Sequence, residues 1–178
     1  MKIAIKNLKH AEFASQETNC YQATVWVDGK RAFTASNEGH GGADYYEPLH
    51  AKGKDPSQAR SEFNAVMEKV EAHCATLPKW GSEFGGEDNN DVTPEILINN
   101  LIHKKLIEKD LKKLLKSRVL LLDKDEAGEL KIFEVRYKGV RVIKNTHVFV
   151  TASRHPSAII LNNLAFDEAL EIYAEQTS

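Results

Sequence analysis

The chain has 178 residues, of which 42% are hydrophobic and 28% are charged, and its formal net charge is −2. This length suits one domain or two small subdomains, and the composition is that of a folded globular protein, so wholesale disorder is excluded. The small net charge excludes a global attraction to nucleic acid or acidic membranes, because any such affinity must come from local clusters of charge.

The cysteine content and the opening residues bear on the compartment. The two cysteines, Cys20 and Cys74, lie far apart, and the chain opens Met1-Lys2-Ile3-Ala4 without the apolar core of a secretion signal. No apolar run approaches the roughly 20 residues that cross a bilayer. We therefore expect a cytoplasmic protein that does not associate with a membrane.

The first elements are predicted to be strands of an antiparallel meander. Apolar and polar residues alternate over residues 2–8 and 20–27, and Asp28-Gly29 supplies a two-residue hairpin turn. A regular hairpin pairs Val27 with Lys30, Val25 with Ala32, and Ala23 with Thr34. Trp26, Arg31 and Phe33 then lie together on the other face.

A helix is predicted to follow a long loop. Asp55 can cap it, Pro56 suits its first position, and Gln58 can complete a capping box. One apolar face then repeats at helical spacing, and Pro78 ends the helix. The residues of this face are Ala59, Phe63, Val66, Met67, Val70, Cys74 and Leu77.

The second half is predicted to contain a long helix and a second antiparallel set of strands. Thr93-Pro94-Glu95 begins a helix that runs to about residue 117, and its core positions are Leu97, Leu101, Leu111, Leu114 and Leu115. Strands are expected at 119–123, 130–137, 140–143 and 147–152, the last one placing His147 and Phe149 on one face. A terminal helix over about 164–175, capped by Asn163, is expected to bury Leu164, Ala169, Leu170 and Tyr173.

These elements predict an α+β protein, because strands are segregated from helices. The expected organisation is an N-terminal meander plus helix over residues 1–78, an acidic linker over 79–92, and a long helix, strands and terminal helix over 93–178. The two halves are able to form one compact domain.

The glycine-rich segment after the third strand is a candidate ligand or contact site, comprising Glu38, Gly39, His40, Gly41, Gly42, Asp44, Tyr45 and Tyr46. His40, Asp44 and His50 could bind a divalent metal, with Glu38 or Glu47 as a base. The glycines could instead cradle a phosphate, and the tyrosines could form a contact surface. The alternative is a structural loop whose polar side chains bond to its own backbone.

The long helix carries a row of basic residues. Lys105, Lys109, Lys112 and Lys116 recur at helical spacing, and Arg118 follows them. Such a row could contact an acidic protein or a phosphate backbone, or it could be a solvated face without a partner. The acidic residues of 83–95 make the charge distribution of the chain uneven.

Two runs carry a family resemblance: the run from Lys6-Asn7-Leu8-Lys9-His10 through Asn19-Cys20, and Ser36-Asn37-Glu38-Gly39-His40-Gly41-Gly42. Together they resemble uncharacterised small proteins of phages and prophages over the first fifty residues. The resemblance implies a protein that binds and modulates a host component.

The common enzyme signatures are missing, including the nucleophile elbow, the Walker loop and zinc-finger spacing. We therefore interpret the chain as a binding or regulatory protein without a cofactor, with a host protein as partner and an inhibitory, anti-defence role as the specific version. Two alternatives remain open. One is a metal- or nucleotide-dependent phosphoesterase that uses the glycine-rich segment, and the other is a nucleic-acid-binding protein that uses the basic helix.

Overall fold

The computed structural model describes residues 1–49, 55–79 and 91–177, and it is an α+β protein with two antiparallel sheets. The chain divides into two compact units, Met1–Ile102 and His103–Ser178, and the division falls within the second helix. The strands are β1 Ile3–His10, β2 Tyr21–Val27, β3 Lys30–Asn37, β4 Tyr45–Pro48, β5 Val119–Lys124, β6 Leu130–Val135 and β7 Ile159–Ile160. The helices are α1 Pro56–Cys74, α2 Pro94–Ser117, α3 Asn145–Arg154 and α4 Phe166–Thr177.

The first unit contains a four-stranded meander in the order β1-β2-β3-β4, so the predicted strands and the Asp28-Gly29 turn are confirmed. The predicted hairpin register is wrong beyond Trp26. A β-bulge shifts the pairing, so Val25 pairs with Phe33 and Ala23 pairs with Ala35. The extra residue rotates Phe33 onto the face of Val25, where it is fully buried.

The glycine-rich segment is interrupted by a strand that the sequence analysis missed. Tyr45–Pro48 forms β4, which pairs with β3 through Ala35–Tyr46 and Ser36–Tyr45. Tyr45 points to solvent, whereas the Tyr46 ring makes an edge contact with Phe33 at 5.7 Å. The two adjacent tyrosines therefore do not share one exposed surface.

Helix α1 packs on the buried face of this sheet. Asp55 caps it by accepting a hydrogen bond from the Ser57 amide at 3.0 Å, as predicted, and Phe63 meets Phe33 edge-on at 5.8 Å. Gln58 does not complete a capping box, because its side chain bonds to Glu62 one turn on. Four residues of the predicted apolar face are buried, namely Ala59, Phe63, Val70 and Cys74.

Helix α2 has the predicted length, but in the first unit its buried positions each follow the predicted position by one residue. Ile98 and Ile102 are fully buried there, whereas Leu97 and Leu101 are half-buried. Leu111 and Leu114 are buried as predicted in the second unit.

The second unit has three layers, with the sheet β6-β5-β7 between two layers of helices. Successive side chains of a strand point to opposite faces. On one face, Leu120 and Leu122 of β5 pack with residues of α2 and α4. On the other face, Val119 and Leu121 pack with Val148 of α3. Helices α2 and α3 therefore lie on opposite faces of this sheet.

Two predicted strands of the second half are wrong. Residues 140–143 are irregular, with a bend at Arg141 and Val142, and residues 147–152 lie in α3. The Lys144 amide donates to Nδ1 of His147 at 3.1 Å, which fixes the first turn of a helix. Val148 and Thr151 then face the core one turn apart, and His147 does not share a strand face with Phe149.

The terminal helix starts later than predicted. Asn163 ends a short 3-10 turn, Leu161–Asn163, and α4 begins at Phe166. Ala169 and Tyr173 are buried as expected, while Leu164 and Leu170 are partly buried against the same cluster. Within the described ranges, no helix combines the length and the apolar character needed to cross a membrane.

Candidate functional site

The glycine-rich segment folds around the side chain of Asn37, which ends β3. The Asn37 Oδ1 atom accepts from the Gly39 amide and from Thr18 Oγ1, both at 2.8 Å. Its Nδ2 atom donates to the Gly42 carbonyl at 2.8 Å and to Asp44 Oδ1 at 3.0 Å. Asn37 itself is buried, and of these four bonds the one from the Gly39 amide is buried while the other three are partly buried. Neither Asn37 nor Thr18 was singled out from the sequence.

Gly39 seats this segment on the connection between β1 and β2. Its carbonyl accepts from the amides of Gln16 at 2.9 Å and Glu17 at 3.1 Å. Its φ is +88°, and a Cβ atom here would lie 2.3 Å from the Ala14 carbonyl oxygen and 2.9 Å from Cys20 Cβ. Only glycine allows this approach without displacing backbone.

The predicted metal ligands are placed as follows. His40 Nδ1 is 3.3 Å from Gln16 Oε1, and Asp44 Oδ2 accepts from Tyr46 Oη at 3.2 Å. His50 lies outside the described residues. In residues 1–49, 55–79 and 91–177, no group of three or more His, Cys, Asp or Glu side chains is arranged to hold a metal ion. The three-ligand site that includes His50 stays a prediction.

A second carboxylate joins this network from α2. Glu95 Oε1 accepts from the Asp44 amide at 3.2 Å, a contact between residues 51 positions apart that no local pattern could indicate. Burial, followed by the neighbouring Asp44, raises the pKa of Tyr21 and that of Tyr46 far above the ordinary value. The Tyr46 hydroxyl donates to Asp44, whereas the buried Tyr21 hydroxyl has no hydrogen-bond partner among the described residues.

The basic row of α2 is exposed, as its spacing predicts. Lys105, Lys109, Lys112 and Lys116 all have exposed side chains on the helix face opposite to buried Leu111 and Leu114. We refer to these four residues as the lysine row. From Lys105 to Lys116 the row extends for about 16 Å along the helix.

The members of the lysine row differ in their partners. Glu108 accepts from Lys105 Nζ at 2.6 Å and from Lys112 Nζ at 2.5 Å, and these hydrogen bonds lower the pKa of its carboxyl. Lys112 also lies over the Phe166 ring at 4.8 Å. In the described part of the chain, no ion pair involves Lys109 or Lys116.

The remaining predicted contact residue is Arg118, which follows α2. Its guanidinium pairs with Glu134 of β6, so it links the helix end to the sheet. It is less exposed than the lysines and is occupied within its own unit. Comparisons of the chain with protein-family models, with curated proteins and with solved structures returned no match.

Proposed function

We propose that this protein acts without catalysis, by binding an acidic protein through the lysine row of α2. A host protein in the cytoplasm is the expected partner. The version suggested by the resemblance of the first fifty residues is a phage-type accessory protein that inhibits a host defence component.

The observation that carries this proposal is the pairing within the lysine row. Lys109 and Lys116 are exposed on the outward face of a helix whose other face is held by buried leucines. Among the described residues, only two of the four ammonium groups, those of Lys105 and Lys112, pair with a carboxylate, and both pair with Glu108, so the row keeps an excess of positive charge. Charge of one sign on a rigid helix steers an oppositely charged partner and fixes its orientation.

The glycine-rich segment supports a binding function over catalysis. The polar groups of Asn37, Gly39 and Asp44 bond to each other and to the β1–β2 connection. Such bonds hold a loop in place and leave these groups satisfied.

The proposal is tested by affinity capture from host lysate with the wild type and with Lys109→Glu/Lys116→Glu. Lys105 and Lys112 are left unchanged, because reversing them would leave Glu108 without its partners. We expect the captured protein to be acidic and the double variant to lose at least about tenfold in its affinity, mainly through slower association that depends on salt. The affinity of Lys109→Gln/Lys116→Gln should fall less, because this variant removes the two positive charges without reversing them.

The matched control is Lys9→Glu/Lys30→Glu, which makes the same change of charge at exposed positions of the first unit. Circular dichroism verifies that each variant is folded. Capture that is unchanged by Lys109→Glu/Lys116→Glu, or weakened equally by the control, would refute the lysine row as the contact surface.

A further inference from the structure

We propose that the exposed face of α3, together with the basic segment that precedes it, binds duplex DNA with α3 in the major groove. This inference goes beyond the proposed function, which concerns α2 on the opposite face of the second sheet. The two surfaces carry different side chains, so separate substitutions test each of them.

Helix α3 presents one continuous outward face. Its inner side is held by Val148 and by Thr151, which is 1% exposed. Phe149 on the other side is 71% exposed, although it is a large apolar residue. The exposed residues, which we call the α3 outer face, are Asn145, Thr146, Phe149, Val150, Ser153 and Arg154.

The helix is held rigidly enough to present this face. The Tyr137 hydroxyl donates to the His147 carbonyl at 3.1 Å and lies 2.8 Å from Thr151 Oγ1. The Tyr137 ring packs on the His147 imidazole with 4.6 Å between centroids. A residue of the preceding segment thus fixes α3 against the sheet, and a fixed helix loses little conformational freedom on binding.

The segment of chain that contains α3 carries charge of one sign. Residues 136–165 contain five basic residues and no acidic residue, although the chain as a whole carries 26 acidic residues. Lys138, Arg141 and Lys144 are exposed. Tyr137 and Ile143, which alternate with them, pack inward against the core. Of these, Lys144 directly precedes α3 at its N-terminal end, where the helix dipole also favours anions.

The same segment is joined to the end of the basic helix. The Ile143 amide donates to the Lys116 carbonyl at 2.7 Å, which brings the backbone before α3 to the last turn of α2. The positive surface next to α3 is anchored at both ends, by this bond and by the Tyr137 hydroxyl. A mobile tail could not hold phosphate contacts in register with the helix.

Duplex DNA fits this chemistry better than other anionic partners. A helix is about as wide as the major groove of B-DNA, and bases there are read by Asn, Ser, Thr and Arg and by apolar contacts with the thymine methyl group. All these side-chain types occur on the α3 outer face, and Lys138 and Arg141 are placed to neutralise phosphates. The major groove of duplex RNA is too narrow to admit the helix. A second copy of this chain would oppose like charges.

The test is fluorescence anisotropy of the whole protein with a labelled mixed-sequence DNA duplex of about 20 base pairs, at about 50 and 200 mM salt. We expect binding that weakens steeply with salt. Lys138→Gln/Arg141→Gln should weaken it at least about tenfold at the lower salt and flatten the salt dependence by about two phosphate contacts. Lys9→Gln/Lys30→Gln, in the first unit, is the matched control.

The α3 outer face is tested with a DNA duplex that the wild-type protein has selected from a random pool. Asn145→Ala introduces a good helix former at an exposed position, and we expect its affinity to fall about 5- to 150-fold for the selected duplex but little for the mixed sequence. Absence of binding at the lower salt, equal loss in the control, or tighter binding to single-stranded DNA or duplex RNA would overturn the proposal. So would a Phe149→Ala variant that changes the molecular mass in solution, because a second copy would then cover this face.

Discussion

Gly39→Ala should destabilise the first unit severely, because two independent penalties meet at this position. An L-residue at a φ of +88° is strained by about 1–2 kcal/mol. The new Cβ would also lie 2.3 Å from the Ala14 carbonyl oxygen, a backbone atom that cannot rotate away as a flexible side chain would. Relief requires movement of the loop, which weakens the bonds from Gln16 and Glu17 to the Gly39 carbonyl at about 1 kcal/mol each. The sum is a loss of about 3–4 kcal/mol in the free energy of unfolding.

The measurement is urea unfolding followed by tryptophan fluorescence. Trp26 lies in β2 of the first unit, so a change in its fluorescence reports the unfolding of that unit. A loss of this size lowers the midpoint by about 1–4 M urea for a small domain. The unfolding transition of the variant should remain as cooperative as that of the wild type.

Two glycines of the same unit separate the penalties. Gly29 has a φ of +79° with nothing within 4 Å of an added Cβ, so Gly29→Ala should cost only the conformational term. Gly42 has open space and no positive φ, so Gly42→Ala should be nearly neutral. If Gly39→Ala costs no more than Gly29→Ala, the close approach to Ala14 does not constrain the loop and the reasoning is refuted.

Two further predictions follow from the buried titratable groups. The pKa of Tyr21 is raised by burial first and by Asp44 second, so above pH 10 the unfolded chain releases a proton that the folded chain keeps, and stability falls by about 1.4 kcal/mol per pH unit. Tyr21→Phe should remove this part of the slope of the urea midpoint between about pH 10 and 11.5, and an unchanged slope would contradict it. Burial also raises the pKa of the Cys74 thiol, so a thiol reagent should modify Cys20 first and reach Cys74 only on unfolding. Equal rates in the native protein would argue against a buried Cys74.

The helices α1 and α2 could be predicted because their signals are local. Asp55 with Pro56, and Thr93 with Pro94, mark helix starts within a few residues, and the apolar spacing that follows exceeds four turns. The meander and its Asp28-Gly29 turn could be predicted from equally local signals. Long periodic segments average out individual exceptions, so these predictions depended on no single contact.

The predictions failed where a single residue or a single tertiary contact determines the local structure. The bulge before Phe33 has no signature in the sequence, and it is favoured because it places Phe33 among Phe63 and Tyr46. Residues 147–152 satisfy both helical and strand periodicity over so short a run. The contact of Tyr137 with His147 and Thr151, which favours the helix, joins positions ten and fourteen apart.

The candidate site was predictable in part for the same reasons. The exposure of the lysine row follows from helical spacing, but the capture of Lys105 and Lys112 by Glu108 depends on side-chain rotamers. The role of Gly39 depends on Ala14 and Cys20, which reach it only after the meander has formed. The α3 outer face was hidden because a strand would have placed Phe149 beside His147.

Strand β6 forms one border of the second sheet in the order β6-β5-β7, and it exposes Leu130 and Phe133. A bare border with apolar side chains invites another strand to add to it and start aggregation. Here Lys131, which pairs with Asp125, and Glu134, which pairs with Arg118, interrupt that border. These ionic pairs contribute little to folding energy at such exposed positions. Their effect is on aggregation and not on folding. A chain in which Lys131 and Glu134 are both replaced by neutral residues would keep its fold but aggregate through this edge.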